Sequence, residues 1–479
     1  MRERFVIWLR AEGKYWLVLG ACMTAYLVLM TRAQFNKYDS YGMGFDLGVY
    51  EQVIWNTAHG RWFATSNFKY TNSHLGADVI LMEAWIALPY ALAPSTYTLL
   101  FLQTLAVALG AIPLYLLARR HLGPLAALGI AFAYLVYVPL HYLNLYEFQP
   151  RAFALGLVFL LFYFLDTRNL RGFVLTALAL LTTRTDLALS LAMIGVFAWL
   201  HHKPRAFTFS ALGLGIGWFA LAAFVIVPHF NSSGKLQYLE WYSWLGNSPG
   251  AMLTTLVTRP LYIIQNVITL PKLNFLFQIF GEVAFLPLLR PDILFVGLPT
   301  FALSLLSLQR IQWDIHYQYG SFLYALSFVG TVYAIALLAQ WKWLTARISS
   351  QSIIGSLVGL VVVCSLSAQL WIGSPVWSWL KRNVPESAQA ANALINQVPS
   401  DAPLAASNLI GPHVSRREGL YFFPPRNEFY TDQALNRAQY VLVDTGTDRG
   451  DPTFAQLKKS TNWQLIAQQD RFMLYRRVP

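Results

Sequence analysis

Cysteine is nearly absent from this chain. Cys22 and Cys364 are the only two in 479 residues, and both fall inside apolar runs. That excludes a disulfide framework and a cysteine-based metal site. Charge is scarce as well, at 12% of residues, roughly half the share of an average soluble domain. Acids are the scarcer sign, with 23 Asp and Glu against 35 Lys and Arg, a net charge of +12. In so apolar a chain that excess points to basic loops facing anionic lipid, not to nucleic acid. Walker A, GxGxxG and GxSxG patterns are missing, so no soluble nucleotide-binding module is indicated. No short-period repeat or low-complexity segment is evident.

What the chain has is apolar length. Hydrophobic residues make up 56% of it, and several runs reach the roughly 17 residues or more that cross a hydrocarbon core. The sequence predicts an all-α polytopic membrane protein. The start, Met1-Arg2-Glu3-Arg4, is basic, but the following run, Tyr15 to Thr31, is long and lacks a small-residue cleavage site. It reads as an uncleaved first helix, not a signal peptide. Arg2, Arg4, Arg10 and Lys14 precede it and put the N-terminus in the cytoplasm. Further spans are predicted near 97–118, 124–143, 152–166, 170–183, 187–200, 206–228, 273–289, 293–309, 320–340 and 352–372, about 11 in all. This topology keeps the short basic turns at Arg119-Arg120-His121, Arg168 and Arg171, His201 to Arg205, Arg290, and Lys342 to Arg347 inside.

Residues 1–374 then form a transmembrane domain with long outer loops at 32–96 and 229–272. Within the first loop, Ala77 to Ala93 carries Asp78, Glu83 and Pro89 and reads as an interfacial or re-entrant helix, not a full span. Residues 375–479 read as a small extracytoplasmic α/β domain. It has a short helix over Pro385–Val398, a buried strand over Gln439–Asp444, and two strands, Trp463–Gln468 and Arg471–Arg477, around Gln469-Asp470.

The topology gathers Asp46, Glu51, His74, Asp78, His141, Glu147, Arg151, Arg184, Asp186 and His316 at the outer ends of spans. Charges at membrane depth need partners or water. Gly44 to Asn56 is too short and too charged to span, yet too apolar for a free loop, and predicts a helix lying in the membrane surface. Asp46, beside apolar surface, suits a general base; it equally suits the N-cap of a helix beginning near Leu47. Glu51 lies five positions on, roughly 140° around a helix, and reads as a structural acid. Glu147 and Arg151 are spaced i,i+4. They fit a local ion pair, although Pro150 interrupts a regular helix, or a secondary acid beside a phosphate-binding guanidinium. Arg184 and Asp186 fit a polar turn between two spans, or an arginine on a lipid-linked phosphate with a second acid. His74 and His141 could contact substrate or join Asp46 or Asp78 as metal ligands, though no HxH or HExxH spacing is present. His316, Tyr317 and Tyr319 fit interfacial anchoring. Trp241, Tyr242 and Trp244 are the best candidates for a sugar platform.

These stretches carry a resemblance. Phe45-Asp46-Leu47-Gly48-Val49-Tyr50-Glu51-Gln52, with Trp55-Asn56 and His59-Gly60, is similar to the opening motif of a bacterial and archaeal family of predicted multi-pass membrane proteins of unknown function, related to the GT-C glycosyltransferases. His74, Gln103 through Pro113 to Arg119-Arg120, Glu147-Phe148-Gln149-Pro150, Arg184-Thr185-Asp186, Phe285 to Leu289 and His316-Tyr317 follow in the family's order, over roughly residues 15–340. Two departures stand out: the family pattern has His where this chain has Gln149, and often Lys-Glu-Asp at Arg184-Thr185-Asp186. The resemblance implies a GT-C fold in the plasma membrane and transfer of a sugar, with inversion, from a polyprenyl-phosphate donor at the outer face. Asp46 would be the base, Glu147 and Asp186 secondary acids, and Arg151 or Arg184 the phosphate contact. The partners implied are that donor, membrane lipids and an unidentified acceptor. The resemblance names no cofactor and is compatible with a divalent Mg²⁺ or Mn²⁺ ion. The rival readings are a lipid or polysaccharide carrier, an assembly scaffold, or a degenerate member of the family. A carrier should show polar groups at mid-span and an internal repeat, and the sequence offers few of the former and none of the latter.

Overall fold

In the computed structural model of the chain, the described residues are 2–233, 239–425, 431 and 434–478, with side chains from Gly13 onward. The Arg2, Arg4 and Arg10 side chains, on which the predicted orientation leans, lie outside the described ones, as do residues 234–238 of the predicted second outer loop.

The chain begins with one long helix, α1 (Arg2–Asp39), whose 38 residues include no proline. Backbone polar groups in hydrocarbon must be satisfied within the segment, which favours an unbroken helix. There follow α2 (Phe45–Ala58), α3 (Met82–Leu92), α4 (Thr96–Leu109), α5 (Ala111–Leu122), α6 (Pro124–Leu135), α7 (Val138–Tyr146), α8 (Arg151–Asp166), α9 (Leu170–Leu181) and α10 (Leu187–Leu200). Helices α4 and α5 join into one apolar span, Thr96–Leu122, while α6 and α7 meet at a 46° bend. Pro124 and Pro139 stand in the first turns of α6 and α7, where a missing N–H costs no hydrogen bond. At 11 residues, α3 rises only about 16 Å, short of the roughly 30 Å hydrocarbon core.

Among the described residues, five helices are long and apolar enough to cross a membrane: Gly13–Asp39, Thr96–Leu122, Arg205–Phe230, Gln318–Leu338 and Ser350–Gly373. The number rises to seven if each bent pair counts as one span. The remaining predicted spans are shorter or broken. Helix α9 has 12 residues and α10 has 14. The predicted spans at 273–289 and 293–309 resolve into Leu270–Gly281, Pro291–Val296 and Leu298–Leu305, interrupted where Ala284 and Phe285 adopt left-handed backbone. The predicted loop 229–272 also needs correction. It contains helices Pro249–Thr258 and Pro260–Val267, the second bent by 65° onto Leu270–Gly281. Pro249 and Pro260 each occupy a first-turn position, so here proline starts helices. Gln318–Leu338 is the central helix, with Phe322, Ala325, Phe328, Val332 and Ile335 all buried.

The C-terminal part carries a five-stranded sheet: β1 (Leu404–Ala406), β2 (Leu420–Phe422), β3 (Tyr440–Asp444), β4 (Trp463–Gln469) and β5 (Phe472–Arg477). The order is β2-β1-β3-β5-β4. Strands β2, β1 and β3 run parallel, and β5 pairs antiparallel with both β3 and β4. The predicted helix appears as Glu386–Ile395. Strands β1 and β2 have three residues each, too few to establish a period of two in the sequence.

This sheet rests on α2. Phe45, Val49 and Val53 share a core with Ala391, Leu394, Leu404, Phe422 and Leu474. From the other face, Leu47, Tyr50 and Ile54 join Ile80, Ile86, Leu99 and Phe148. Gly48 allows the close approach, since a Cβ there would stand 2.7 Å from the Phe422 ring; at Gly44 it would stand 2.7 Å from the Asn408 side chain. Helix α2 is therefore a buried element between two cores. Each fully buried Val, Leu, Ile or Phe contributes about 1.5–3 kcal/mol, so burial on two faces fixes the direction in which Asp46 points.

Candidate functional site

The N-terminus of α2 is capped from another part of the chain. Gly44, at the N-cap, has no side chain to offer. Glu147, just past α7, supplies the acceptor: its Oε1 takes the Gly44 N–H at 3.0 Å and its Oε2 the Leu47 N–H at 2.8 Å. A carboxylate is favoured there because the first N–H groups of a helix carry partial positive charge. Lys37 stitches the same loop to α1 by donating to the Leu145 and Tyr146 carbonyls, each at 2.7 Å. Burial pushes the Glu147 carboxyl up to about 7, and the neighbouring Asp46 charge adds to the rise against the two N–H bonds and Lys37.

The backbone at Glu147 is extended, with φ −157° and ψ −171°. The alternate residues Glu147, Gln149 and Arg151 all turn toward the site. Gln149 Nε2 donates to Asp46 Oδ2 at 2.8 Å, and Arg151 Nη2 donates to Asp186 Oδ1 at 2.9 Å. Phe148, between them, turns into the apolar core around Tyr50. Two sequence alternatives thereby fall. Asp46 is not the N-cap, because the helix already begins at Phe45 and the cap is Gly44. Glu147 and Arg151 form no local pair, since each is committed to a different element.

Asp186 lies between two guanidinium groups, Arg151 at 2.9 Å and Arg184 at 3.5 Å. Arg184 also pairs with Asp78 at 2.8 Å, and Thr185 Oγ1 donates to the same carboxylate at 3.1 Å. Burial alone would raise Asp186, but Arg151 and Arg184 outweigh it and hold the carboxyl below its usual range. The Arg151 guanidinium also stands 5.6 Å from the Tyr319 ring. Tyr319 feels the charges of Asp46, Arg184, Arg151 and Asp186 together, and Tyr50 feels Arg184, Asp46 and Asp78. Residues from α2, from the α7–α8 and α9–α10 turns and from the start of the central helix thus surround one small volume.

The two histidines part ways. His74 Nδ1 meets Glu83 Oε1 at 2.6 Å, and its ring stands 5.6 Å from that of Tyr50, on the edge of the cluster. Burial works against a charged His74, but Glu83 outweighs it and raises the imidazole. His141 is not brought to the site. Its Nδ1 meets Ser374 Oγ at 2.8 Å and its Nε2 the Leu135 carbonyl at 2.9 Å, so both nitrogens serve the helical bundle and the predicted substrate contact is corrected. Glu51 accepts from Thr96 at 2.7 Å, Tyr90 at 3.0 Å and Ser415 at 2.6 Å, tying α2 to α3, to α4 and to the C-terminal part. Among the described residues, no three His, Cys, Asp or Glu side chains are grouped so as to hold a metal ion.

Sequence reasoning passed over Gln149 and Tyr319 as site residues, and gave Asp78 a place among the outer-face charges without its partner Arg184. Gln149 was visible as a departure from a pattern. Asp78 stood out as an acid in an apolar run. Tyr319 gave no signal, because tyrosines near span ends are expected as anchors.

A family model described as "Predicted membrane protein (DUF2079)" matches residues 38–474, from the end of α1 into β5. Among solved structures, ArnT from Cupriavidus metallidurans bound to undecaprenyl phosphate is similar over 97% of this chain and 98% of that one, with a TM-score of 0.55 and 13% identity. The same protein in the apo state gives a TM-score of 0.56 and 12% identity over the same shares. At such identity the likeness shows the fold, a GT-C membrane fold with a small C-terminal sheet domain. No curated protein matches the chain.

Proposed function

This chain belongs to the DUF2079 family of predicted membrane proteins, and we propose that it is a glycosyltransferase that moves a sugar from a polyprenyl-phosphate donor to a hydroxyl acceptor at the outer face of the plasma membrane. The observation that carries the reading is the convergence of Asp46 with Arg151, Arg184 and Asp186 around Tyr319. Arginine forks match phosphate oxygens, and a carboxylate beside them is the group a hydroxyl nucleophile needs. In the proposed step, Asp46 takes the acceptor O–H proton and the acceptor oxygen bonds to the anomeric carbon from the face opposite the phosphate. The anomeric C–O bond breaks, its electron pair leaves with the polyprenyl phosphate, and the configuration inverts. Arg151 and Arg184 stabilise the departing phosphate, with Asp186 and Asp78 as their resting counter-ions. Glu147 acts as a positioning residue, by holding the α2 N-terminus, and His74 braces the Asp78 side through Glu83. Solved ArnT with undecaprenyl phosphate bound supports a lipid of this chemical class. In this reading the N-terminus faces the cytoplasm and the C-terminal domain lies outside, as the basic turns suggest.

One observation favours a second reading. At the departure from the family pattern, Gln149 presents an amide, which does not titrate, directly to Asp46, as a non-catalytic member would tolerate. A transfer assay with reconstituted chain and polyprenyl-phosphate-linked sugars separates the two. Asp46→Asn is expected to lose transfer by about 100-fold or more, the lower end of general-base effects. Full activity in Asp46→Asn would overturn the mechanism.

A further inference from the structure

A cavity of about 290 Å³ lies at the other end of α2 from Asp46, between the helix C-terminus and the C-terminal domain. Trp55 and His59 are nine and thirteen residues beyond Asp46, so the cavity begins roughly 14 Å along the helix from the charged cluster. Ser400, His413, Arg416 and Arg417 complete the lining that matters, and no carboxylate lines it. Of the acids nearby, Glu418 pairs with Arg61 at 3.2 Å and Glu51 holds three hydroxyl donors, while the charges of Glu51 and Asp401 act on Arg416 and Arg417 from outside the lining.

The imidazole of His413 is locked. It stacks on Tyr41 at 3.8 Å and on Tyr38 at 4.2 Å, with interplanar angles of 19° and 15°. Burial drives it to the neutral form, with its pKa near 3, and one nitrogen is used by the Tyr38 backbone. The other, Nε2, is buried and has no hydrogen-bond partner among the described residues. If Nδ1 donates to the Tyr38 carbonyl, Nε2 of the neutral ring is an acceptor. Arg417 is oriented by the Val414 and Ala402 carbonyls, at 2.8 and 2.7 Å, and Arg416 by the Pro94 carbonyl at 2.8 Å. Trp55 supplies an aromatic surface, with His59 4.4 Å away.

We propose that this cavity is a binding site for an anionic sugar residue, separate from the Asp46 cluster. Arg416 and Arg417 take the carboxylate or phosphate, and Trp55 covers an apolar face of the ring. The volume is at the small end of ligand pockets, which run from about 300 Å³ upward, so one ring with its charged substituent fits and an oligosaccharide does not. The proposal does not depend on the transfer reaction, because it concerns binding alone.

The test is calorimetric titration of the full chain in lipid nanodiscs with glucuronate, glucose 6-phosphate, glucose and inorganic phosphate. The two anionic sugars are expected to bind at least tenfold more tightly than glucose and than inorganic phosphate. Arg416→Ala, an exposed position, is expected to lose that preference by tenfold or more, with Arg416→Gln as a second variant that keeps the side-chain bulk. Asp46→Asn is expected to bind as the unmodified chain does, which keeps failure here distinct from failure of the transferase reading. Equal binding of glucose, equal binding of inorganic phosphate, no binding of any probe, or unchanged affinity in a folded Arg416 variant would each overturn the proposal.

Discussion

Asp46 and Glu51 are five residues apart on one helix and sit in opposite settings. Glu51 is fully buried and its carboxylate is claimed by hydroxyls from three other segments. Asp46 is only partly buried, receives the Gln149 amide, and faces a set of arginines that already have carboxylate partners. The first acid is a tie between elements, and moving it would unpick the junction of α2 with the C-terminal part. The second stands where a phosphate and a nucleophile could meet. Helical phase alone separates the two, since five residues turn a side chain roughly 140° away. The lesson is that an acid in an apolar helix is read from what already holds its oxygens, not from its being an acid.

The contrast can be broken at its strongest point first. Arg151→Ala would leave the half-buried Asp186 with its 3.5 Å contact to Arg184 as its remaining ion pair among the described residues. Losing one member of a buried ion pair costs about 3–5 kcal/mol. Thermal unfolding should fall accordingly and transfer should be lost, while Arg151→Lys should restore much of the stability and less of the transfer. Unchanged unfolding in Arg151→Ala would mean that the cluster holds nothing together.

Glu51→Ala comes next. It strands the Tyr90, Thr96 and Ser415 hydroxyls, a loss of about 2–3 kcal/mol. Limited proteolysis should attack the C-terminal domain sooner, because Ser415 is one of its ties to α2, while transfer per folded molecule stays as it was. A selective loss of transfer would erase the distinction between the two acids.

Glu147 sharpens the contrast through pH. Its folded-state pKa is raised to about 7, above the roughly 4.3 of an unfolded glutamate, so the folded chain holds this proton more tightly. Its contribution to stability is fully present below about pH 4.3 and is lost as pH rises through its folded value. Melting temperatures across that window should fall less steeply in Glu147→Gln than in the unmodified chain. Parallel slopes would contradict the assignment.

The smallest effect is expected at Gln149. Gln149→His places a titrating ring against Asp46 and should reshape the pH–rate profile while changing the maximal rate by no more than about tenfold. An unaltered profile would remove the Gln149–Asp46 contact from the mechanism.

Much of this arrangement was legible before any coordinates. Apolar length and basic turns point to the membrane class, and the apolar run at 439–444 and the strand pair around Gln469-Asp470 mark three of the five strands. Asp46, Arg151, Arg184 and Asp186 stood out as charges that hydrocarbon does not tolerate unpaired. Pairing itself was not legible. Asp78 reaches Arg184 across more than 100 residues, and Glu147 caps a helix about as far away. Such contacts depend on how spans are arranged, which a one-dimensional pattern does not record. His141 misled because a histidine at a span end looks the same whether its nitrogens face a substrate or, as here, Ser374 and the Leu135 carbonyl. Segment 249–267 falls within the predicted outer loop, yet both its prolines begin helices.

The central claim is that one end of α2 does chemistry and its middle does not. The most direct test measures transfer from a polyprenyl-phosphate sugar, per folded molecule, in Asp46→Asn and Glu51→Gln side by side, with melting temperatures recorded for both. The account predicts that Asp46→Asn keeps its melting temperature and loses transfer by about 100-fold or more, and that Glu51→Gln melts earlier and transfers normally. Equal loss of transfer in both variants, or full transfer in Asp46→Asn, would contradict it.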